Sequence, residues 1–244
     1  FIEGEEKFKK ARRIFYKSKL EAREEILKKS ETADLGVISN TKDHWLVVDL
    51  NGGLNLNNKE ALGRIYFNLN PEKLHHFFKK AIDKFLERGI VARMKILNQE
   101  EATEFNRSDK MLIYFSSSQE AEVVQTIEDL HREEKAVCDF SFEHPEFTTP
   151  VRDHEGTWIS GISFGEEPVG SNESFGQLRV KILTNIYREA ESQGLKLHNP
   201  GFDLKKAYAK ACERYGVDPQ NPAFNEKGGK FSFIRKRTKK LNID

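Results

Sequence analysis

Four cations stand beside strand-like segments or at the ends of elements, where one phosphate could be gripped. Arg64 opens Arg-Ile-Tyr-Phe, Lys95 lies inside Arg-Met-Lys-Ile, Arg107 precedes Ser-Asp-Lys-Met, and Arg179 ends Ser174-Phe-Gly-Gln-Leu-Arg179. A guanidinium offers a planar fork to a phosphate, whereas a lysine is a point charge on a flexible stem. Over residues 91–97, strand alternation sets Val91, Arg93, Lys95 and Leu97 on one face and Ala92, Met94 and Ile96 on the other. A face carrying both Arg and Lys suits either an exposed edge or the wall of a phosphate cleft, and spacing leaves both open. Ser174-Phe-Gly176 is similarly double: it can cap the helix that follows, and a helix N-terminus is itself an anion site.

Other chemistries find little support. The seven His never recur at metal-binding spacing, and the adjacent His75 and His76 face different sides of a helix. No Gly-rich phosphate loop joins a strand to a helix in a βαβ unit. Gly161-Ile-Ser-Phe-Gly165 mimics a nucleophile elbow but lies in a Pro- and Gly-rich stretch. Cys138 and Cys212, the only cysteines, have no paired spacing, so both read as buried thiols of a reducing compartment.

The elements that must position these residues follow from periodicity. With 244 residues the chain suits one large domain or two small ones. The 40 basic and 39 acidic residues leave a net charge of +1, which excludes a broad polyanion-binding surface but permits a local anion pocket. Mean hydropathy is −0.67, and no apolar run approaches a membrane span. Residues 1–40 read as an N-terminal helical extension, 41–220 as an α+β domain, and 221–244 as a basic tail. Strands are expected at 44–50, 64–69, 91–97 and 110–115, and helices at 72–88, 118–132, 174–193 and 203–215. This succession predicts a mainly antiparallel or mixed sheet flanked by helices. Residues 139–173 show no obvious elements, and a segment that long is often functional. The tail, with seven basic residues between Lys227 and Lys240, reads as a solvated terminus or a nucleic-acid or membrane-surface contact.

Taken in order, Arg64-Ile-Tyr-Phe-Asn-Leu69, the strand carrying Lys95, Asn106-Arg107-Ser-Asp-Lys-Met-Leu-Ile-Tyr114, Gly161-Ile-Ser-Phe-Gly-Glu-Glu-Pro168 and Ser174-Phe-Gly-Gln-Leu-Arg179 resemble the HopA-type type III effector family. That family includes the lyase component of class V lanthipeptide synthetases. The likeness spans about residues 60–195. It implies a phosphothreonine/phosphoserine lyase that eliminates phosphate to leave a dehydroamino acid, with no metal or redox cofactor. The substrate would be a phosphorylated peptide or protein, with a kinase and a cyclase as partners. On this resemblance Lys95 is the base, and Arg64, Arg107 and Arg179 bind phosphate with Arg93 assisting. Tyr66, Tyr114, His144 or His154 would donate a proton, while Lys110 and Lys181 are alternative bases beside the same motifs. Location would be the bacterial cytoplasm, or a host cell after delivery. The competing expectation is a non-enzymatic effector or adaptor that binds a phosphorylated partner in the same cleft; membrane association is not expected and nucleic acid less so than phosphopeptide.

Overall fold

A computed structural model describes residues 35–40, 45–54, 61–97, 108–171, 173–226 and 230–238. Seven strands make one sheet: β1 (Leu35–Asn40), β2 (Trp45–Leu50), β3 (Leu62–Phe67), β4 (Ala92–Leu97), β5 (Met111–Ser116), β6 (Thr149–Arg152) and β7 (Trp158–Glu166). Their order is β1-β2-β4-β5-β3-β7-β6, and every pair is antiparallel. The α+β expectation holds, with the sheet antiparallel throughout the described residues.

Alternation gives the two faces of this sheet different fates. Val48 of β2, Ile65 and Phe67 of β3, Met94 and Ile96 of β4, and Ile113 and Phe115 of β5 enter the main core. Helices α1 (Leu74–Glu87) and α2 (Glu120–Cys138) cover that face. A short 3-10 turn, Pro71–Lys73, leads into α1, and the Asn70 side chain accepts from the Glu72 N–H at 2.9 Å. Phe77, Phe78 and Phe85 of α1 are fully buried, each worth roughly 1.5–3 kcal/mol of burial.

The opposite face is covered only in part, by α3 (Phe175–Ser192). Helix α4 (Leu204–Arg214) packs antiparallel-hairpin fashion on α3 around Leu178, Ile182, Ile186, Ala207 and Cys212, a core of its own. Both cysteines are free and buried.

Three boundaries differ from the sequence expectation. Residues 35–40 form β1 rather than the end of a helical extension, because they pair with β2 in register from Leu35↔Leu50 to Asn40↔Trp45; residues 1–34 lie outside the described residues. Segment 139–173 carries β6 and the nine-residue β7. Gly161-Ile-Ser-Phe-Gly165 runs inside β7 with Ser163 fully buried, so it forms no nucleophile elbow. The described residues of the tail, 221–226 and 230–238, are docked rather than solvated. Phe224 and Phe231 are fully buried, and α5 (Ser232–Thr238) is capped by Glu120, whose carboxylate accepts from the N–H groups of Phe233 and Ile234. Arg235 pairs with Asp218 at 2.8 Å and Arg237 with Glu128, so these basic residues are spent on tertiary contacts.

Candidate active site

The antiparallel register writes two rows across the open face of the sheet. One reads Asp49, Arg93, Tyr114, Arg64, Gly165; the next reads Val47, Lys95, Leu112, Tyr66, Ser163. Cationic and phenolic side chains from three strands, β3, β4 and β5, thus meet on one surface, with adjacent strands about 4.8 Å apart. Above them sits the first turn of α3. The resulting cleft, about 480 Å³, is lined by Arg64, Tyr66, Lys95, Tyr114, Gly176 and Arg179 among others.

Tyr114 is the hinge of the cationic surface. The Arg64 guanidinium lies 4.7 Å from its ring centroid and the Lys95 Nζ 5.1 Å, so one aromatic ring attracts both cations, which come from the strands on either side of it. Arg64 also pairs with Glu167 and donates to the Tyr66 hydroxyl. Burial pushes the Tyr66 phenol up to about 12, although the adjacent Arg64 charge and hydrogen bond pull the other way. Tyr66 therefore keeps its proton through the physiological range and stands as a donor. Among the described residues no carboxylate pairs with Lys95.

Arg179 reaches the cleft from α3 while almost wholly buried. Its Nε and Nη2 donate to the Pro222 carbonyl at 3.1 and 2.9 Å, and its guanidinium lies 4.2 Å from the Phe175 ring centroid. Its Nη1 has no protein partner among the described residues. Burial is the main cause that lowers its pKa, to about 10, so the guanidinium remains a cation at neutral pH. An unsatisfied charged donor at such depth calls for an explanation, and an anion in the cleft supplies one.

The start of α3 completes the site. Ser174 and Gln177 form a capping box, with the Ser174 hydroxyl accepting from the Gln177 N–H at 3.4 Å and Gln177 Oε1 accepting from the Ser174 N–H at 2.8 Å. The capping reading of Ser174-Phe-Gly176 holds, and all three residues line the cleft at the start of the helix. Gly165 sets how closely the helix approaches: a Cβ there would meet the Phe175 ring at 2.6 Å. By contrast, a Cβ at Gly176 would meet nothing within 4 Å, so the cleft is open above it.

Five of the eleven candidates named from the sequence, Arg64, Tyr66, Lys95, Tyr114 and Arg179, come together here. Arg107 lies outside the described residues. Arg93 shares the sheet face but does not line the cleft. Asp49 holds it in a two-pronged pair, Nε to Oδ1 at 2.7 Å and Nη2 to Oδ2 at 2.9 Å, which raises its pKa. Arg93 thus braces Tyr114 from the next strand instead of offering a free fork.

His154 needs correction as a proton donor. It sits in the β6–β7 turn and lines a separate cleft with Glu128, His131 and Trp158, its Nδ1 3.5 Å from the Glu128 carboxylate. That cleft borders α2, on the helix-covered side of the sheet. His144 neighbours the Pro145–Phe147 wall but does not line the site, and burial lowers its pKa. Lys181 is paired with Glu173 at 2.6 Å, and that hydrogen bond raises its pKa. Lys110 is buried and donates to Asn68, with burial lowering its pKa. Lys95 is the lysine, among the described residues, that lines the cleft.

Other contributors escaped the sequence reading: Trp45, Asp109 and Phe147 as walls, and Glu167 as the partner of Arg64. Glu167 lies inside a quoted motif, but it reaches Arg64 only because the end of β7 pairs with the start of β3. Away from the cleft, where α1 meets α2, three side chains of metal-ligand type also come together. His76, Glu134 and Cys138 bring ligand atoms within 4.8 Å of one another, through a helix pairing that spacing along the chain does not reveal.

Comparison with known proteins agrees with this architecture. The chain resembles the structure of the effector protein from Pseudomonas syringae pv. tomato strain DC3000, with a TM-score of 0.60 and 14% identity, covering 85% of this chain and 82% of that one. It also resembles the effector protein from Pseudomonas syringae pv. syringae strain 61, with a TM-score of 0.54 and 15% identity, covering 84% and 82%. At such identities the likeness speaks for the fold. No curated protein matches the chain. No helix among the described residues is long and apolar enough to cross a membrane. The model of the HopA1 effector protein family matches residues 39–224, from β1 to the buried Phe224 and across every wall of the cleft, and the chain belongs to that family.

Proposed function

We propose that the protein is a metal-independent phosphothreonine/phosphoserine lyase. The observation that carries this reading is the gathering of Arg64, Lys95, Arg179 and Tyr66 around one cleft of about 480 Å³ at the N-terminus of α3. The phosphate of the substrate lies against Arg64, Arg179 and the first-turn N–H groups of α3, where charge-assisted hydrogen bonds are strongest. Lys95, in its neutral form, takes the Cα proton. The Cα–H electron pair becomes the Cα=Cβ double bond, and the Cβ–O bond breaks with its electrons leaving on phosphate. Tyr66 donates a proton toward the departing oxygen, and the Lys95 proton restores the balance, so the products are a dehydroamino acid and hydrogen phosphate. Arg107 is a further phosphate ligand in this scheme, and Arg93 positions Tyr114.

The substrate is a phosphorylated peptide or protein. Membership of an effector family supports delivery to a host and a host phosphoprotein substrate; peptide maturation with a kinase before and a cyclase after this step is the alternative setting. The test is phosphate release from phosphothreonine and phosphoserine peptides, with Lys95→Ala beside the native protein. The proposal expects release that Lys95→Ala abolishes while phosphopeptide binding persists. Tight binding without release would support a phosphate-binding adaptor instead, and full turnover by Lys95→Ala would remove Lys95 as the base.

A further inference from the structure

Helix α3 carries an apolar stripe that leaves the cleft along its exposed face. Val180 lines the cleft, and Leu183, Thr184 and Tyr187 follow at helical spacing. With Leu197, Leu204, Ile186 and Tyr208, they form a second groove of about 860 Å³, whose other polar member is Lys205. Five of the nine large apolar side chains exposed among the described residues, Val180, Leu183, Tyr187, Leu197 and Leu204, fall on this one surface. Clustered exposure of that kind marks a binding surface.

The cleft and the groove lie along one helix: α3 lends Gly176, Arg179 and Val180 to the first and Leu183, Thr184 and Tyr187 to the second. Exposed Val180 lies on the rim of the cleft, where the apolar stripe begins, so a chain that leaves the cleft along α3 runs onto that stripe. A helix rises about 1.5 Å per residue, so Leu183 and Tyr187 lie roughly 5–10 Å beyond Val180. An extended peptide covers about 3.3 Å per residue.

We infer that this groove is a specificity subsite for an apolar side chain of the substrate, about three to five residues from the phosphorylated residue: about one or two to clear the cleft and about two or three to follow α3 to Leu183 and Tyr187. The inference rests on the lyase reading for its substrate and deepens it. The protein would then select phosphopeptides by a distant leucine-like anchor, leaving the chemistry indifferent to the immediate neighbours.

Three probes separate the outcomes: a blocked phosphothreonine with no flanking residues, a phosphothreonine peptide with leucine about four residues to either side, and the same peptide with serine at those places. The native protein should show a KM about tenfold lower for the leucine peptide than for the serine peptide. The Leu183→Ser/Tyr187→Ser variant should lose that preference while turning over the blocked phosphothreonine as the native protein does. Leu204→Ser, on the opposite wall, should weaken the preference in the same way, which guards against misfolding of the first variant. Equal KM values for the two peptides, or a preference that survives both variants, would overturn the subsite. A groove that instead seats a second copy would show as a mass change by light scattering in the variants without peptide preference, which also overturns it. If no probe loses phosphate, fluorescence anisotropy of labelled peptides still decides. A leucine preference lost in the variants keeps the subsite while the lyase reading falls.

Discussion

Replacing Arg64 with Met separates what this residue does for folding from what it does for phosphate. The Arg64 and Glu167 side chains are 12% and 15% exposed, so Arg64→Met strands a largely buried carboxylate. Removing one partner of such a pair costs about 3 kcal/mol, and the Tyr66 hydroxyl loses its guanidinium donor for about 1 kcal/mol more. In a chain of this size each kcal/mol shifts Tm by about 2–4 °C, which gives a fall of roughly 8–16 °C. Adding Glu167→Gln removes the stranded charge, so Arg64→Met/Glu167→Gln should recover most of the lost stability. Turnover should not recover, because the phosphate has lost a charged donor worth about 10²–10³ in rate. The assay is thermal unfolding beside phosphate release for the native protein, both single variants and the double variant. Arg64→Met with an unchanged Tm would refute the ion pair as a structural element. A double variant with native turnover would refute Arg64 as a phosphate ligand.

Further expectations concern the walls and the outlying candidates. The Tyr66 phenol is raised from 10 to about 12 by burial, so its folded-state stabilisation is fully present below pH 10 and is lost as pH rises toward 12. Two pH units amount to about 2.7 kcal/mol; urea unfolding between those pH values should show a loss of that order in the native protein that is absent in Tyr66→Phe. Gly165→Ala drives a methyl into the Phe175 ring at 2.6 Å and should lower stability by about 1–3 kcal/mol and damage turnover by moving α3. Gly176→Ala, in open space, should do far less to stability, and equal melting points for the two variants would contradict this account of the helix approach. His154→Ala should leave phosphate release unchanged, because its cleft borders Glu128 and α2; a large loss would restore it as a proton donor.

The parts of the fold legible in the sequence are those where one residue pattern dominates. Val91 to Leu97 alternates cleanly, and the structure sets Arg93 and Lys95 on one face as the pattern requires. The stripe of Leu74, Phe77, Phe78, Ala81, Ile82 and Phe85 predicts α1 and the face it buries. Strand β7 is hidden in the sequence because Ser160, Gly161, Ser163 and Gly165 interrupt its apolar pattern, although Gly165 sits on the cleft face where a Cβ would collide with Phe175 of α3. The docked tail is hidden in the sequence because Phe231 and Ile234 are embedded among lysines and arginines, two of which pair with Asp218, 17 residues away, and Glu128, 109 residues away. Arg93 and Lys95 look alike in sequence; only the pairing of β2 with β4, which brings Asp49 opposite Arg93, separates the braced cation from the one in the cleft. His154 illustrates the converse, since its residue type suggested chemistry while its turn delivers it to the other side of the sheet.

The most direct measurement of the central claim is the mass of a phosphothreonine or phosphoserine peptide after incubation with the protein. The lyase account predicts a product lighter by one H₃PO₄, bearing a dehydroamino acid that adds a thiol. Recovery of the intact phosphopeptide, or of the plain hydroxyl peptide one water heavier than that product, contradicts it.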